Sequence, residues 1–208
     1  MFRLVTLITV IIFLTRAYGQ DSAFDELDQL LQDINTLSAD VLQLIVESDG
    51  GVLEESDIQM HLKKPEGFYW ETISPFPELI VTNGDVLWNY QPDLQQVVIE
   101  DWDNTESELA AQLLNGRVDS LEDEYTIELF VDNEFSNFEL TPISLDSIYN
   151  QITISFASSN IDVIHLDNKN GEQTVWQFRD VEKNHSLADS MFEFEPPEGI
   201  DVIEKTDN

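Results

Sequence analysis

No cysteine occurs among the 208 residues. That excludes a disulfide framework, a thiolate metal site, a cysteine nucleophile and a thioether-linked lipid anchor. Basic residues are nearly as scarce: 9 Lys and Arg face 42 Asp and Glu, for a formal net charge of −33. A phosphate backbone is repelled by such a surface, so nucleic acid is not an expected partner, and anionic membrane surfaces are disfavoured for the same reason. Glycine and proline number only 8 and 7, and no linker, tandem repeat or low-complexity block divides the chain. Long apolar runs are also missing. The longest, Leu4 to Leu14, is too short to span a bilayer comfortably. What remains is 42% hydrophobic, enough for a real core in one domain despite self-repulsion.

That apolar run reads as an address. Arg3 supplies a short positive region, and Ala17-Tyr18-Gly19 places small residues where a signal peptidase reads. Residues 1–19 are therefore expected to be a signal peptide cleaved after Gly19. Residues 20–208 are expected to form one exported domain, in a bacterium a periplasmic one.

From Phe24 to Leu37 the apolar residues Phe24, Leu27, Leu30, Leu31, Ile34 and Leu37 fall on one helical face, with Asp21 or Ser22 available as a cap. Beyond residue 39 the period becomes two. Val52, Glu54, Ser56, Ile58, Met60 and Leu62 share one parity, and Phe68, Trp70 and Thr72 share the next. Leu79 and Val81, then Val86, Trp88 and Tyr90, continue the theme, with Asn83-Gly84 read as a type I′ hairpin turn. Further strands are expected at 96–102, 125–131, 137–140, 149–157, 162–166 and 174–182. Turns are expected at 168–171 and at Pro92-Asp93. Residues 107–115 read as a second helix carrying Leu109, Leu113 and Leu114, stopped by Gly116. Short strands in meander order with two helices predict a mainly β, α+β fold: one curved antiparallel sheet covered by helices.

Chemistry is hard to find. His61, His165 and His185 are the only histidines and show no metal-ligand spacing. Carboxylate neighbours such as Glu54-Glu55 and Glu122-Asp123-Glu124 resemble a glycosidase pair, but among 42 acidic residues such neighbours arise without selection. No GxSxG elbow, P-loop or GxGxxG is present, so neither an enzyme nor a cofactor is expected. The aromatic and aliphatic wealth of the strands fits either a packed core or a cavity left for an apolar guest. Periodicity alone leaves both open.

Three stretches carry a resemblance. Lys63 opens KKPEGFYWETISPFPELIVTNGDVLWNYQPDLQQVVI, Phe138–Pro142 reads FELTP, and Met191–Ile203 reads MFEFEPPEGIDVI. Together they resemble the outer-membrane lipoprotein carrier (LolA) family: a basic pair before Pro, an aromatic-x-Trp, an Asn-Gly turn, Leu-Trp, Tyr-x-Pro and a Pro-Pro-x-Gly ending. The likeness spans about Leu27 to Ile203. It implies an incomplete antiparallel β-barrel covered by a helical lid, with a hydrophobic cavity between. It further implies a monomeric periplasmic chaperone that takes acylated lipoproteins from an inner-membrane ATP-driven transporter to an outer-membrane receptor. The alternative is a related binder of another amphiphile, such as a glycolipid.

By the same resemblance Lys64 stands where the family has an Arg that ties barrel to lid, and Phe68 where it has a partner-binding Phe. Trp70, Leu79, Val81, Trp88, Tyr90 and Val98 are expected to line the acyl-chain cavity, and Leu109, Leu113 and Leu114 to lie on a lid helix. Lysine for arginine exchanges a planar five-donor fork for a point charge, so Lys64 is expected to hold an empty lid less firmly. The strong acidity also departs from the family. Either the partners carry basic faces, or the charge is an adaptation of solvation to salt.

Overall fold

The structure, a computed structural model, describes residues 20–102 and 121–205. The helix α1 (Gln20–Gln32) leads into six strands: β1 (Thr36–Val46), β2 (Val52–Lys63), β3 (Gly67–Ser74), β4 (Glu78–Thr82), β5 (Val86–Gln91) and β6 (Gln96–Asp101). After the single turn α2 (Leu121–Glu124) come β7 (Tyr125–Asp132), β8 (Phe135–Pro142), β9 (Tyr149–Ala157), β10 (Asn160–Asn168) and β11 (Gln173–Lys183). A 3-10 turn, Asp189–Phe192, precedes the last strand, β12 (Asp201–Lys205).

These strands form one sheet in the order β12-β6-β5-β4-β3-β2-β1-β11-β10-β9-β8-β7. Two meanders meet at the β1–β11 pairing, which joins the halves at the centre. The unclosed, mainly β sheet agrees with expectation, and the antiparallel reading is corrected at one strand. The sheet is open, with β7 and β12 as its edges, and β12 runs parallel to β6 while every other neighbouring pair is antiparallel. The parallel strand comes from a long return crossing of residues 184–200, which brings the chain end back to β6 in the same direction.

Period-two burial explains why these segments are strands. Ser56, Ile58, Met60 and Leu62 of β2 are buried, and Ile152, Ile154 and Phe156 of β9 are buried with half-exposed neighbours between them. Antiparallel register sets buried residues side by side on one face: Leu37 against Leu62 and Phe68, Ala39 against Met60 and Trp70, and Ile127 against Leu140 and Ile152. We call this the inner face. Helix α1 lies on it through Ala23, Leu27 and Leu31, with Ile34 just beyond, all fully buried in the same core cluster.

The helix is shorter than its apolar spacing suggested. It ends at Gln32, and Leu37 belongs to β1. Leu37 satisfies both periods, three residues on from Ile34 and in step with the buried Ala39 and Val41, and its pairing with Leu62 decides for strand. The hairpin after β4 forms, but not as a type I′ turn. Gly84 alone takes a positive φ, +99°, while the Asn83 side-chain oxygen accepts the N–H groups of Asp85 and Val86 at 3.1 and 3.2 Å. An Asx turn thus closes a three-residue connection. The side chain of Glu66 lies over Gly84 and leaves no space for a Cβ.

Candidate functional site

Three layers meet around β3. On the inner face Trp70 pairs with Ile80, Ile80 with Asn89 and Asn89 with Val98, making one row across four strands. Phe68 stacks on Trp70 at 5.9 Å, and Trp70 meets Trp176 edge-on at 5.8 Å. The Trp176 indole N–H donates to Gln43 at 2.7 Å, so this aromatic floor carries a satisfied polar handle.

Register divides the six expected lining residues. Leu79 pairs with Glu71 and Tyr90, and Val81 with Tyr69 and Trp88. Leu79, Val81, Trp88 and Tyr90 therefore lie on the outer face, and Trp70 and Val98 on the inner one. In β4 the run Leu79-Ile80-Val81 is apolar at every position and covered on both faces, so alternation carries no signal there and parity alone chose the wrong face. Ile80 and Leu87 are the inner-face residues that reading missed.

The outer face is covered by the C-terminal crossing. Phe194 packs on Tyr90 at 5.3 Å, and Phe192 is buried against Gly67, where an added Cβ would come within 3.0 Å of its ring. Lys63 Nζ donates to the Leu187 carbonyl at 3.0 Å and pairs with Asp189. The Pro-Pro-x-Gly ending is thus part of an outer strap.

At the inner end of β2, Lys64 reaches the helix. Its Nζ donates to the Leu31 carbonyl at 2.6 Å, and its backbone N–H donates to Asn35 O at 2.9 Å. No basic residue lies in the last turn of α1, so Lys64 supplies the positive charge that the negative end of the helix dipole lacks. Burial pushes the Lys64 ammonium below its ordinary range, against the opposing pull of Asp28 and Asp33. A second tie comes from Asn184, whose side-chain N–H donates to Asp33 O at 2.9 Å while its oxygen accepts the Asn35 N–H at 2.8 Å. A backbone acceptor such as Leu31 O leaves no mark in a sequence.

Phe68 is fully buried. In this arrangement it has no surface to offer a partner and serves as core. Leu109, Leu113 and Leu114 lie outside the described residues, as do residues 1–19, where a signal peptide is expected. The inner face is not an open hollow in this arrangement, because its residues are packed with α1 in one cluster. Among the described residues there is no group of three or more His, Asp or Glu side chains able to hold a metal ion. No helix among them is long and apolar enough to cross a membrane.

Comparison with known proteins agrees with this geometry. Residues 32–195 match the family described as Outer membrane lipoprotein carrier protein LolA. An outer-membrane lipoprotein carrier protein of Chromohalobacter salexigens is 33% identical over 187 residues, covering 90% of this chain and 89% of that protein. One from Azotobacter vinelandii is 32% identical over 205 residues, covering 99% of each. Among solved structures, a LolA superfamily protein from Nitrosomonas europaea superposes with a TM-score of 0.51 at 15% identity, covering 85% of this chain and 98% of that one. An uncharacterized conserved protein from Thermus thermophilus gives 0.60 at 13% identity, covering 88% and 99%. An open sheet with a helix tied across its apolar face, and a matched region spanning most of the sequence, lead to one conclusion: the chain belongs to the outer-membrane lipoprotein carrier (LolA) family.

Proposed function

We propose that this protein is a periplasmic carrier, not an enzyme, that shelters the acyl chains of lipoproteins between α1 and the inner face of the sheet. It takes them from an inner-membrane ATP-driven transporter and delivers them to an outer-membrane receptor. One observation carries the reading: the apolar inner face is closed by a helix whose end is held by a lysine on one of its carbonyls, a fastening that can part.

The energetics suit a carrier. Each methylene buried contributes about 0.8 kcal/mol, so an acyl chain gains roughly 10 kcal/mol before costs. Its entry displaces the side chains of α1, and each large one contributes about 1.5–3 kcal/mol while buried. One apolar occupant replaces another at near balance. Loading is then possible without making release prohibitive, and the direction of transfer is set by what the receptor buries.

An environment-sensitive apolar dye tests this. A synthetic peptide with an acylated N-terminal cysteine is expected to displace the dye, and the same peptide without acyl chains is not. Displacement by a glycolipid with none by the acylated peptide would replace lipoprotein cargo with the glycolipid alternative.

A further inference from the structure

On the outer face, two of the three histidines meet across one hydroxyl. Ser38 Oγ lies 2.7 Å from His61 Nδ1 and 3.1 Å from His185 Nε2. The three residues come from β1, β2 and the first residues of the crossing, sites separated by up to 147 positions in sequence. His185 is also held by its backbone, where the Thr36 hydroxyl donates to the His185 carbonyl at 2.6 Å. Two residues on, Lys63 holds the Leu187 carbonyl. This cluster therefore sits where the strap leaves β11 and begins its path over the sheet.

The hydroxyl carries one hydrogen. With both rings neutral, or one charged, it donates to one imidazole and accepts from the other. With both charged, two N–H groups point at the same oxygen, its own hydrogen has no ring acceptor, and two positive charges flank one atom. A second observation points the same way: His185 Nδ1 is buried without a hydrogen-bond partner among the described residues. A hydrogen on that nitrogen would meet no acceptor, which costs more than leaving the nitrogen bare.

We propose that Ser38, His61 and His185 form an acid-sensitive clasp that fastens the C-terminal crossing to the outer face at neutral pH and loosens when the second ring takes up a proton. Releasing the strap uncovers apolar outer-face residues, Tyr90 beneath Phe194 among them.

The charged and titratable groups around the clasp are mixed. Asp40 on β1 and Glu71 on β3 favour a charged His61. Burial and His185 oppose it, burial most strongly, and the net direction is downward. Tyr69 on β3 lies tilted against the His61 ring at 5.5 Å and donates its hydroxyl to Glu71. Glu182 of β11 pairs opposite Ser38, and Lys63 of β2 is engaged by Asp189 of the crossing. The sign follows: the closed clasp binds protons less well than the open one, so its stability is full above the ordinary imidazole value of about 6.5 and declines as pH falls below it.

Hydrogen exchange of the full-length protein, corrected for the intrinsic pH dependence of exchange, reads this directly at residues 184–195. Wild type is expected to lose about tenfold protection there between about pH 7.5 and about pH 5.5, with β9 and β10 unchanged. His61→Gln and His185→Gln each leave at most one charge on the clasp, so in both the pH effect is expected to shrink several-fold, with the remainder set by the burial of the ring that stays, whatever their protection at neutral pH. Unchanged protection in wild type would overturn the proposal. So would a loss that persists undiminished in both variants, which would assign the effect to the surrounding carboxylates.

Discussion

Phe68→Ala is expected to lower the unfolding free energy by about 3–5 kcal/mol, the range for removing a large aromatic from a packed core. Phe68 is fully buried, stacked on Trp70, and set between Leu62 and Thr82 of the neighbouring strands. Its neighbours on the sheet side are paired strand residues, so the cavity cannot collapse easily. Phe68→Leu, which keeps most of the volume, is expected to cost less than about 1.5 kcal/mol. Urea unfolding of the three proteins checks both numbers. The pair also separates two roles: a leucine variant that is stable yet fails to hand over cargo would assign Phe68 a part in partner contact once the inner face opens. An alanine variant within about 1 kcal/mol of wild type would show that the floor of the sheet is not the rigid core described above.

Lys64→Met is expected to loosen the end of α1. It removes a charged hydrogen bond of 2.6 Å to the Leu31 carbonyl and the favourable charge at that helix terminus. A bond of this kind is worth about 1.5–3 kcal/mol. If it fastens the helix, its loss raises the population of the open form, and uptake of an apolar dye should accelerate about tenfold or more, since tenfold corresponds to about 1.4 kcal/mol. Lys64→Arg offers several donors in a fixed fork and is expected to slow uptake relative to wild type. Asn184 still ties Asp33 and Asn35 in every variant, so the helix is not set free outright. Identical uptake by all three proteins would mean that Lys64 does not govern access.

Strands bounded by clear turns and buried on one face were legible in the sequence. β9 was expected at residues 149–157 and spans Tyr149–Ala157; β2, β7 and β11 fall within a few residues of expectation. The signal failed where two faces are buried at once. In β4 every central residue is apolar, so Leu79 and Val81 looked like lining when Ile80 is. β5 inverts the same way: its large aromatics Trp88 and Tyr90 face the strap, while the modest Leu87 faces the core. β12 is exposed throughout and is held by its parallel pairing to β6 and the Lys205–Glu100 ion pair, neither of which a five-residue segment advertises. At the site, the ordinal place of Lys64 came from resemblance. Its acceptor, a helix carbonyl, and the meeting of Ser38 with two histidines are products of tertiary pairing and have no local pattern.

The central claim is that the space between α1 and the inner face takes acyl chains of lipoproteins. Its most direct test is to isolate the protein from its native cells under mild conditions and identify what travels with it by native mass spectrometry followed by release of the bound species. Acylated lipoproteins, bound through their lipid and lost when the acyl groups are removed, are the expected result. Protein that emerges with no acylated polypeptide, even when its delivery to the outer membrane is blocked, would contradict the account.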